Sequence, residues 1–155
     1  MTIIAIDPGP TQSAYVVWDG QRIVRMALEG NEAVLTFIGS RGGKSILVIE
    51  KVASYGMAVG ASVFETVYWS GRFAQAFGGT VCRVPRMTVK MHLCHDSRAK
   101  DANICQAIRD RFGGRQVAIG KKASPGPLYG VKKDIWQALA LALTWHDQNA
   151  QEDSA

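Results

Sequence analysis

The chain has 155 residues, 47% hydrophobic and 20% charged, which indicates one globular domain over residues 1–155 and excludes two full domains or a disordered protein. Its longest uncharged apolar stretch, residues 135–146, is far shorter than the roughly 20 residues that a membrane span requires. The net charge of +5 arises in the second half, because residues 76–155 contain twelve Lys and Arg against seven Asp and Glu, whereas residues 1–75 contain six of each.

The hydrophobic pattern predicts strands and helices that alternate along the chain. Short continuous apolar runs indicate buried strands, an Asp-Gly pair at 19–20 indicates a hairpin, and apolar residues at helical spacing indicate helices. In chain order we expect strands over residues 2–6, 13–18 and 22–28, a helix over 31–39, a strand over 45–49, a helix over 60–77, a strand over 80–84, helices over 85–93 and 101–112, a basic loop over 120–130, and a helix over 132–146. This order predicts an α/β fold whose five-stranded mixed sheet has three antiparallel strands first and helices on both faces.

Three acidic residues lie where elements begin or end. Asp7 and Glu50 directly follow buried strands, and Asp134 opens the last helix. A carboxylate at such a position is costly unless a cation compensates it, and hard oxygen ligands without His or Cys select Mg²⁺ or Mn²⁺. Taken singly, Asp7 is also typical of a turn and Asp134 of a helix start. Their conjunction favours a metal site, and two ions about 4 Å apart can support phosphodiester hydrolysis.

Three segments carry a resemblance to a known family. Ile-Ala-Ile-Asp-Pro-Gly at 4–9, Leu-Val-Ile-Glu-Lys-Val at 47–52 and Asp-Ile-Trp-Gln-Ala-Leu-Ala-Leu-Ala at 134–142 resemble the ribonuclease H-like fold, specifically RuvC-type Holliday-junction resolvases. Lys-Asp-Ala-Asn-Ile at 100–104 and Pro-Gly-Pro-Leu-Tyr-Gly at 125–130 resemble phage-encoded members. The resemblance covers about residues 2–146. It implies a homodimeric crossover junction endodeoxyribonuclease that uses two Mg²⁺ or Mn²⁺ ions per active site.

The resemblance also implies roles for individual residues. Asp7 would bridge the two ions, Glu50 would hold one of them, and Asp134 would complete the site. Gln137 departs from the pattern, because bacterial resolvases carry two acids, or a His and an Asp, three residues apart at this helix start, and Gln137 occupies the second of these positions. Asp101 is the candidate substitute, as a metal or water ligand; it is also typical of an ordinary acid at a helix N-terminus.

Other residues are implied to bind branched DNA. Tyr55 follows Glu50 in a loop where the resembled resolvases insert an aromatic into the junction, although an ordinary packed tyrosine fits the sequence equally well. Lys100 is expected to face the scissile phosphate. The basic half of the chain predicts contacts to the DNA backbone, or else a solvated surface. The expected backbone contacts are Lys51, Arg72, Arg83, Arg86, Lys90, Lys121 and Lys122.

Two further expectations concern function and assembly. Because Gln137 supplies no charge, a non-catalytic branched-DNA-binding protein, or a nuclease for forks and flaps, stays open beside the resolvase. The helix over 60–77 has more large apolar residues than one buried face needs, so Phe64, Tyr68, Trp69 and Phe73 indicate either a dimer contact or a core. The odd number of cysteines, the absence of a signal peptide pattern and the implied substrate predict the cytoplasm of a bacterial cell or of a phage-infected host.

Overall fold

A five-stranded mixed sheet lies at the centre of the structure, a computed structural model that describes residues 1–150; residues 151–155 of the predicted domain lie outside the described part. The spatial order is β3-β2-β1-β4-β5. The first three strands are antiparallel, whereas β4 runs parallel to β1 and β5 runs parallel to β4. The predicted sheet is therefore confirmed. Its strands are β1 (Ile3–Asp7), β2 (Gln12–Trp18), β3 (Ile23–Gly30), β4 (Gly42–Lys51) and β5 (Gly78–Pro85).

Helices cover both faces of this sheet, as predicted. Side chains of a strand alternate between the two faces, so Ile4 and Ile6 of β1 pack on one side, in the cluster that contains Phe37 and Phe73. Ile3 and Ala5 belong to the second cluster, on the other side. Helices α1 and α2 cover the first face, and α3 to α6 cover the second. The helices are α1 (Asn31–Gly39), α2 (Ala61–Ala76), α3 (Arg86–Cys94), α4 (Asp101–Arg111), α5 (Arg115–Ile119) and α6 (Ile135–Ala150).

Residues 115–130 are more ordered than the basic loop that the sequence predicts. Helix α5 and a small antiparallel hairpin of β6 (Gly120–Lys121) and β7 (Ser124–Pro125) precede the buried side chain of Leu128. A Cβ atom on Gly126 would lie 2.3 Å from the carbonyl oxygens of Val117 and Ala118, so only glycine permits this close approach. Elements of five and two residues are too short to show a hydrophobic period, which is why the pattern missed them.

Helix α6 is buried around its whole circumference from Ile135 to Thr144, although the sequence predicts one buried face. Its position between the sheet and helices α3 and α4 explains the difference, because a helix in a central layer has no solvent side. The helix also begins later than predicted, so Asp134 precedes its first turn, and the backbone carbonyl of Asp134 accepts hydrogen bonds from the backbone N–H groups of Gln137 and Ala138. No helix within residues 1–150 combines the length and apolarity of a membrane span.

An ionic cluster joins α3, α4 and α6 beneath the sheet. Asp147 accepts hydrogen bonds from Arg111 Nη2 at 2.7 Å and lies 2.8 Å from His92 Nε2. Burial acts to raise the pKa of Asp147, but the hydrogen bonds from Arg111 and His92 outweigh it and hold this pKa below its ordinary value. The cluster joins the three helices at the ends opposite to Arg86 of α3, Asp101 of α4 and Asp134, which directly precedes α6.

Candidate active site

The acidic residues singled out in the sequence line one cleft of about 290 Å³. Asp7 ends β1, and Glu50 lies near the end of β4, the parallel neighbour in which Ile49 pairs with Ile6. The carboxyl ends of parallel strands meet at one edge of a sheet, so the two carboxylates are brought together by the topology. Asp134 reaches the same cleft from the start of α6. The lining residues are Asp7, Pro8, Glu50, Lys51, Val52, Ala53, Tyr55, Arg86, Asp101, Asp134 and Gln137.

A buried polar network fixes the loop that follows Asp7. Ser13 Oγ donates to Asn31 Oδ1 at 2.6 Å, and the Asn31 amide donates to the Gly9 carbonyl at 2.9 Å. The Gly9 N–H donates in turn to Ser13 Oγ at 3.1 Å, which closes the ring. Sequence reasoning did not identify these positioning residues, because each is a single polar residue near the start of an element and no local pattern marks it.

The electrostatic environment of Asp7 is unfavourable for a negative charge. Burial, then a hydrogen bond with Glu50 and the negative charges of Glu50 and Asp134, raises the pKa of Asp7 from 3.8 to about 9. Within residues 1–150, neither Asp7 nor Asp134 forms an ion pair. The cleft therefore concentrates carboxylates that protein cations only partly compensate.

We expect Asp7→Asn to stabilise the metal-free protein at alkaline pH. Because the Asp7 pKa is raised in the folded state, that state binds more protons than the unfolded chain between about pH 4 and 9, and the free energy of unfolding falls as pH rises through this range. Asparagine cannot ionise, so the variant should exceed the parent protein by about 1 kcal/mol or more at pH 8. Urea denaturation in EDTA at pH 5 to 9 measures this.

The control for this measurement is Asp110→Asn, which neutralises an exposed acid on α4. It should leave the slope of stability against pH unchanged. A parent protein whose stability does not fall between pH 5 and 9, or an Asp7→Asn variant that falls in parallel with it, would contradict the assigned environment of Asp7.

Arg86 extends into the acidic cleft and contacts two of its carboxylates. Its Nη1 lies 3.9 Å from Glu50 Oε1, and its Nη2 donates to Asp101 Oδ1. The Arg86 side chain is 27% exposed, whereas that of Asp101 is 67% exposed. The sequence predicts Arg86 as a DNA backbone contact and Asp101 as a metal or water ligand, and it gives no indication that these two residues pair.

The donor set suits a hard divalent cation by its chemistry. Carboxylates of Asp7, Glu50 and Asp134, with the amide of Gln137, are oxygen ligands of the kind that Mg²⁺ and Mn²⁺ take. However, within residues 1–150 no three Asp, Glu, His or Cys side chains are gathered closely enough to hold an ion as they stand. Binding would therefore require the carboxylates to converge further.

Lys51, Tyr55 and Arg86 are the expected DNA-binding residues that line the cleft. Tyr55 is 58% exposed and adopts a positive φ of 51° at the tip of its loop, so it is not a packed core tyrosine. Arg72 lies elsewhere, 3.8 Å from Glu32 and stacked over Trp69. The remaining candidates do not line the cleft: Arg83 on β5, Lys90 on α3, Lys100 directly before α4, and Lys121 and Lys122 at the small hairpin.

Two solved structures are similar to this chain over almost its whole length. The structure of RuvC from Thermus thermophilus superimposes with a TM-score of 0.56 at 20% sequence identity, covering 93% of this chain and 92% of the other. The T. thermophilus RuvC in complex with a Holliday junction substrate gives 0.55 at 18% identity, with the same coverage. No family model matches the sequence, and no similar curated protein was found by sequence. The chain therefore has a ribonuclease H-like fold similar to that of RuvC, as predicted.

Proposed function

We propose that the protein is a metal-dependent, structure-selective endonuclease that resolves four-way DNA junctions. The observation that carries the proposal is the meeting of Asp7, Glu50 and Asp134 in one cleft of a RuvC-like fold. These residues are separated by more than 40 positions in sequence, yet the fold gathers them in one cleft, where neither Asp7 nor Asp134 forms an ion pair within residues 1–150. The Holliday junction bound by the similar T. thermophilus protein supports the choice of substrate.

Asp7, Glu50 and Asp134 would hold two Mg²⁺ or Mn²⁺ ions, with Asp7 between them. When bound, such ions activate water and stabilise the leaving oxygen in phosphodiester hydrolysis. The hydrogen bonds of Ser13 and Asn31 hold the backbone at Gly9, so the backbone that carries the Asp7 side chain is fixed at the end of β1. Gln137 supplies a neutral amide, and Asp101, which was predicted as an additional ligand, contacts Arg86.

Tyr55→Ala is expected to weaken junction binding about tenfold or more. The exposed ring stands on the cleft wall, where it can stack on an unpaired base at the junction centre, and such stacking is worth roughly 1–3 kcal/mol. Fluorescence anisotropy with a labelled four-way junction in Ca²⁺ measures the change. Tyr129→Ala, which removes another exposed tyrosine outside the cleft, is the matched control. Equal losses in both variants, or none, would remove Tyr55 from the binding surface.

We further propose a homodimer that pairs through the exposed face of α2. Phe64 is 65% exposed, and Val67 and Tyr68 beside it are also exposed, which makes an apolar patch on this face. Phe73 is fully buried and Trp69 packs against it, so the predicted interface loses these two residues to the core.

Phe64→Glu is expected to convert the dimer to a monomer, because a carboxylate would be buried in the interface without a partner. Sedimentation velocity measures the mass, with Glu65→Gln, an adjacent exposed position, as the control. A variant that stays dimeric, or a parent protein that is monomeric at micromolar concentration, would contradict this surface.

Two alternatives keep the same fold but differ in activity. The neutral Gln137 and the cation Arg86 in the cleft favour a non-catalytic branched-DNA-binding protein, and a fork or flap nuclease fits the same acidic residues. Incubation in Mn²⁺ with a junction, a fork, a flap and a linear duplex separates them. Paired nicks in the junction are expected; cutting of forks or flaps alone favours the second alternative, and cutting of none favours the first.

We propose that the protein acts in the cytoplasm of a bacterial cell or of a phage-infected host, and that it is a phage-like member of the RuvC type.

The affinity for junction DNA should also fall steeply as the salt concentration rises, because basic residues between Arg83 and Lys133 would each release counterions from DNA. A flat salt response would count against the basic half of the chain as the DNA-binding surface.

A further inference from the structure

Arg86 occupies its place in the acidic cleft because of the backbone around it. It begins α3 directly after β5, in which Val84 and Pro85 pair with Glu50 and Lys51 of β4. The side chain therefore leaves the sheet at the same edge as Glu50. Its guanidinium then lies between the carboxylates of Glu50 and Asp101, and these are its ion-pair partners within residues 1–150.

We propose that Arg86 is a resident counter-ion of the cleft, held by Asp101 beside Glu50, and that a divalent cation binds Glu50 only by displacing it. Asp101 is then a positioning residue for Arg86 and not a metal ligand. The inference rests on the proposed function, because it assumes that a metal ion binds among Asp7, Glu50 and Asp134.

The chemistry of the two cations makes them competitors. A guanidinium carries a positive charge and forms directed hydrogen bonds to carboxylates, so Arg86 places a fixed cation in the cleft. An ion coordinated by Glu50 would stand within a few ångströms of this fixed positive charge and be repelled by it. The ion pair with Arg86 also draws Glu50 to one side of the cleft. This opposes the convergence of carboxylates that a metal ion requires.

The exposure of Asp101 argues for the positioning role. Its side chain is mostly solvent-exposed at the first position of α4, and its observed contact in the cleft is the Arg86 guanidinium. Glu50, by comparison, is 19% exposed and faces the other acids. An exposed carboxylate whose contact in the cleft is the guanidinium holds it by an ion pair and needs no direct contact with the metal ion.

The test is Mn²⁺ binding to the full-length protein without DNA, with free Mn²⁺ followed by electron paramagnetic resonance. Arg86→Gln should bind Mn²⁺ about tenfold more tightly than the parent protein. The matched control is Lys51→Gln, which removes one positive charge from the same cleft at a residue that forms no ion pair within residues 1–150. It should change the affinity less than about threefold. Equal gains in both variants, or no gain in Arg86→Gln, would overturn the proposal.

Asp101→Asn, made alone and together with Arg86→Gln, tests the positioning role. If Asp101 acts through Arg86, its substitution changes Mn²⁺ affinity in the parent protein and has less than a twofold effect once Arg86 is replaced. If Asp101 is a ligand, its substitution weakens binding by the same factor in both backgrounds, which would overturn the assignment. Should Arg86→Gln fail to fold, Arg86→Lys keeps the charge but loses the directed fork to Glu50 and Asp101. Mn²⁺ affinity more than about threefold above that of the parent protein is then expected, and an affinity within about threefold of the parent contradicts the proposal.

The outcomes separate this inference from the proposed function. Mn²⁺ binding that requires Asp7 and Glu50 but is unchanged by Arg86→Gln overturns the role of Arg86 alone. Failure of both the parent protein and Arg86→Gln to bind Mn²⁺ at millimolar concentration overturns the metal-dependent function and this inference with it. Binding that appears only in Arg86→Gln supports the inference.

Discussion

Asp7→Asn is expected to reduce metal-dependent nicking of a four-way junction by at least about a thousandfold, while junction affinity changes less than threefold. Asp7 is partly buried at the end of β1 and is proposed to contact both ions, so a neutral amide in its place removes an anionic ligand from the site. DNA affinity should persist because it depends on many phosphate contacts made by other residues. Single-turnover cleavage of a synthetic junction in Mg²⁺, together with anisotropy in Ca²⁺, measures both quantities.

Asp110→Asn is the matched control, since it makes the same chemical change at an exposed position on α4. It should cleave at the rate of the parent protein. If Asp7→Asn retains cleavage, Asp7 has no place in the mechanism; if it loses junction binding as well, the substitution has damaged more than the chemistry.

Asn31→Ala is expected to lower the free energy of unfolding by about 2–3 kcal/mol. Asn31 is 2% exposed, and its amide both accepts from Ser13 and donates to Gly9. Alanine leaves the buried Ser13 hydroxyl and the Gly9 carbonyl without these partners, and an unsatisfied buried polar group costs more than a typical hydrogen bond contributes. Urea denaturation measures the loss.

The control is Asn103→Ala on α4, an exposed asparagine whose side chain accepts a hydrogen bond from the Lys100 amide. Its loss should be about 1 kcal/mol or less, in the range of an exposed helix-terminal hydrogen bond. Equal destabilisation in the two variants would mean that the polar network behind Asp7 contributes no more to the free energy of unfolding than one exposed hydrogen bond does.

The sheet and the ends of its strands were predictable because each depends on local signals. Continuous apolar runs indicated the strands that contain Ile6 and Ile49, and a carboxylate directly after such a run has its backbone fixed by the strand. Since parallel strands end at one edge, the approach of Asp7 and Glu50 follows from topology. The α1 helix was predicted with its observed bounds, Asn31–Gly39, because a loop-forming Gly terminates its apolar pattern.

Other features depend on contacts that no local pattern encodes. The pairing of Arg86 with Asp101 arises from the packing of α3 beside α4, and the ring of Ser13, Asn31 and Gly9 joins residues up to 22 positions apart. By contrast, the full burial of α6 was encoded locally, because residues 135–145 are apolar at almost every position and a helix that is apolar all round is buried all round. Sequence reasoning could name the acids of the cleft but not the cation that stands among them.

A crystal structure of the protein soaked in Mn²⁺ would show whether the three acids form a metal site. We expect Mn²⁺ in the cleft, within about 2.5 Å of carboxylate oxygens from Asp7, Glu50 and Asp134, with the Arg86 guanidinium moved away from Glu50. Anomalous density that is absent from this cleft, or an ion bound elsewhere while these three side chains remain apart, would contradict it.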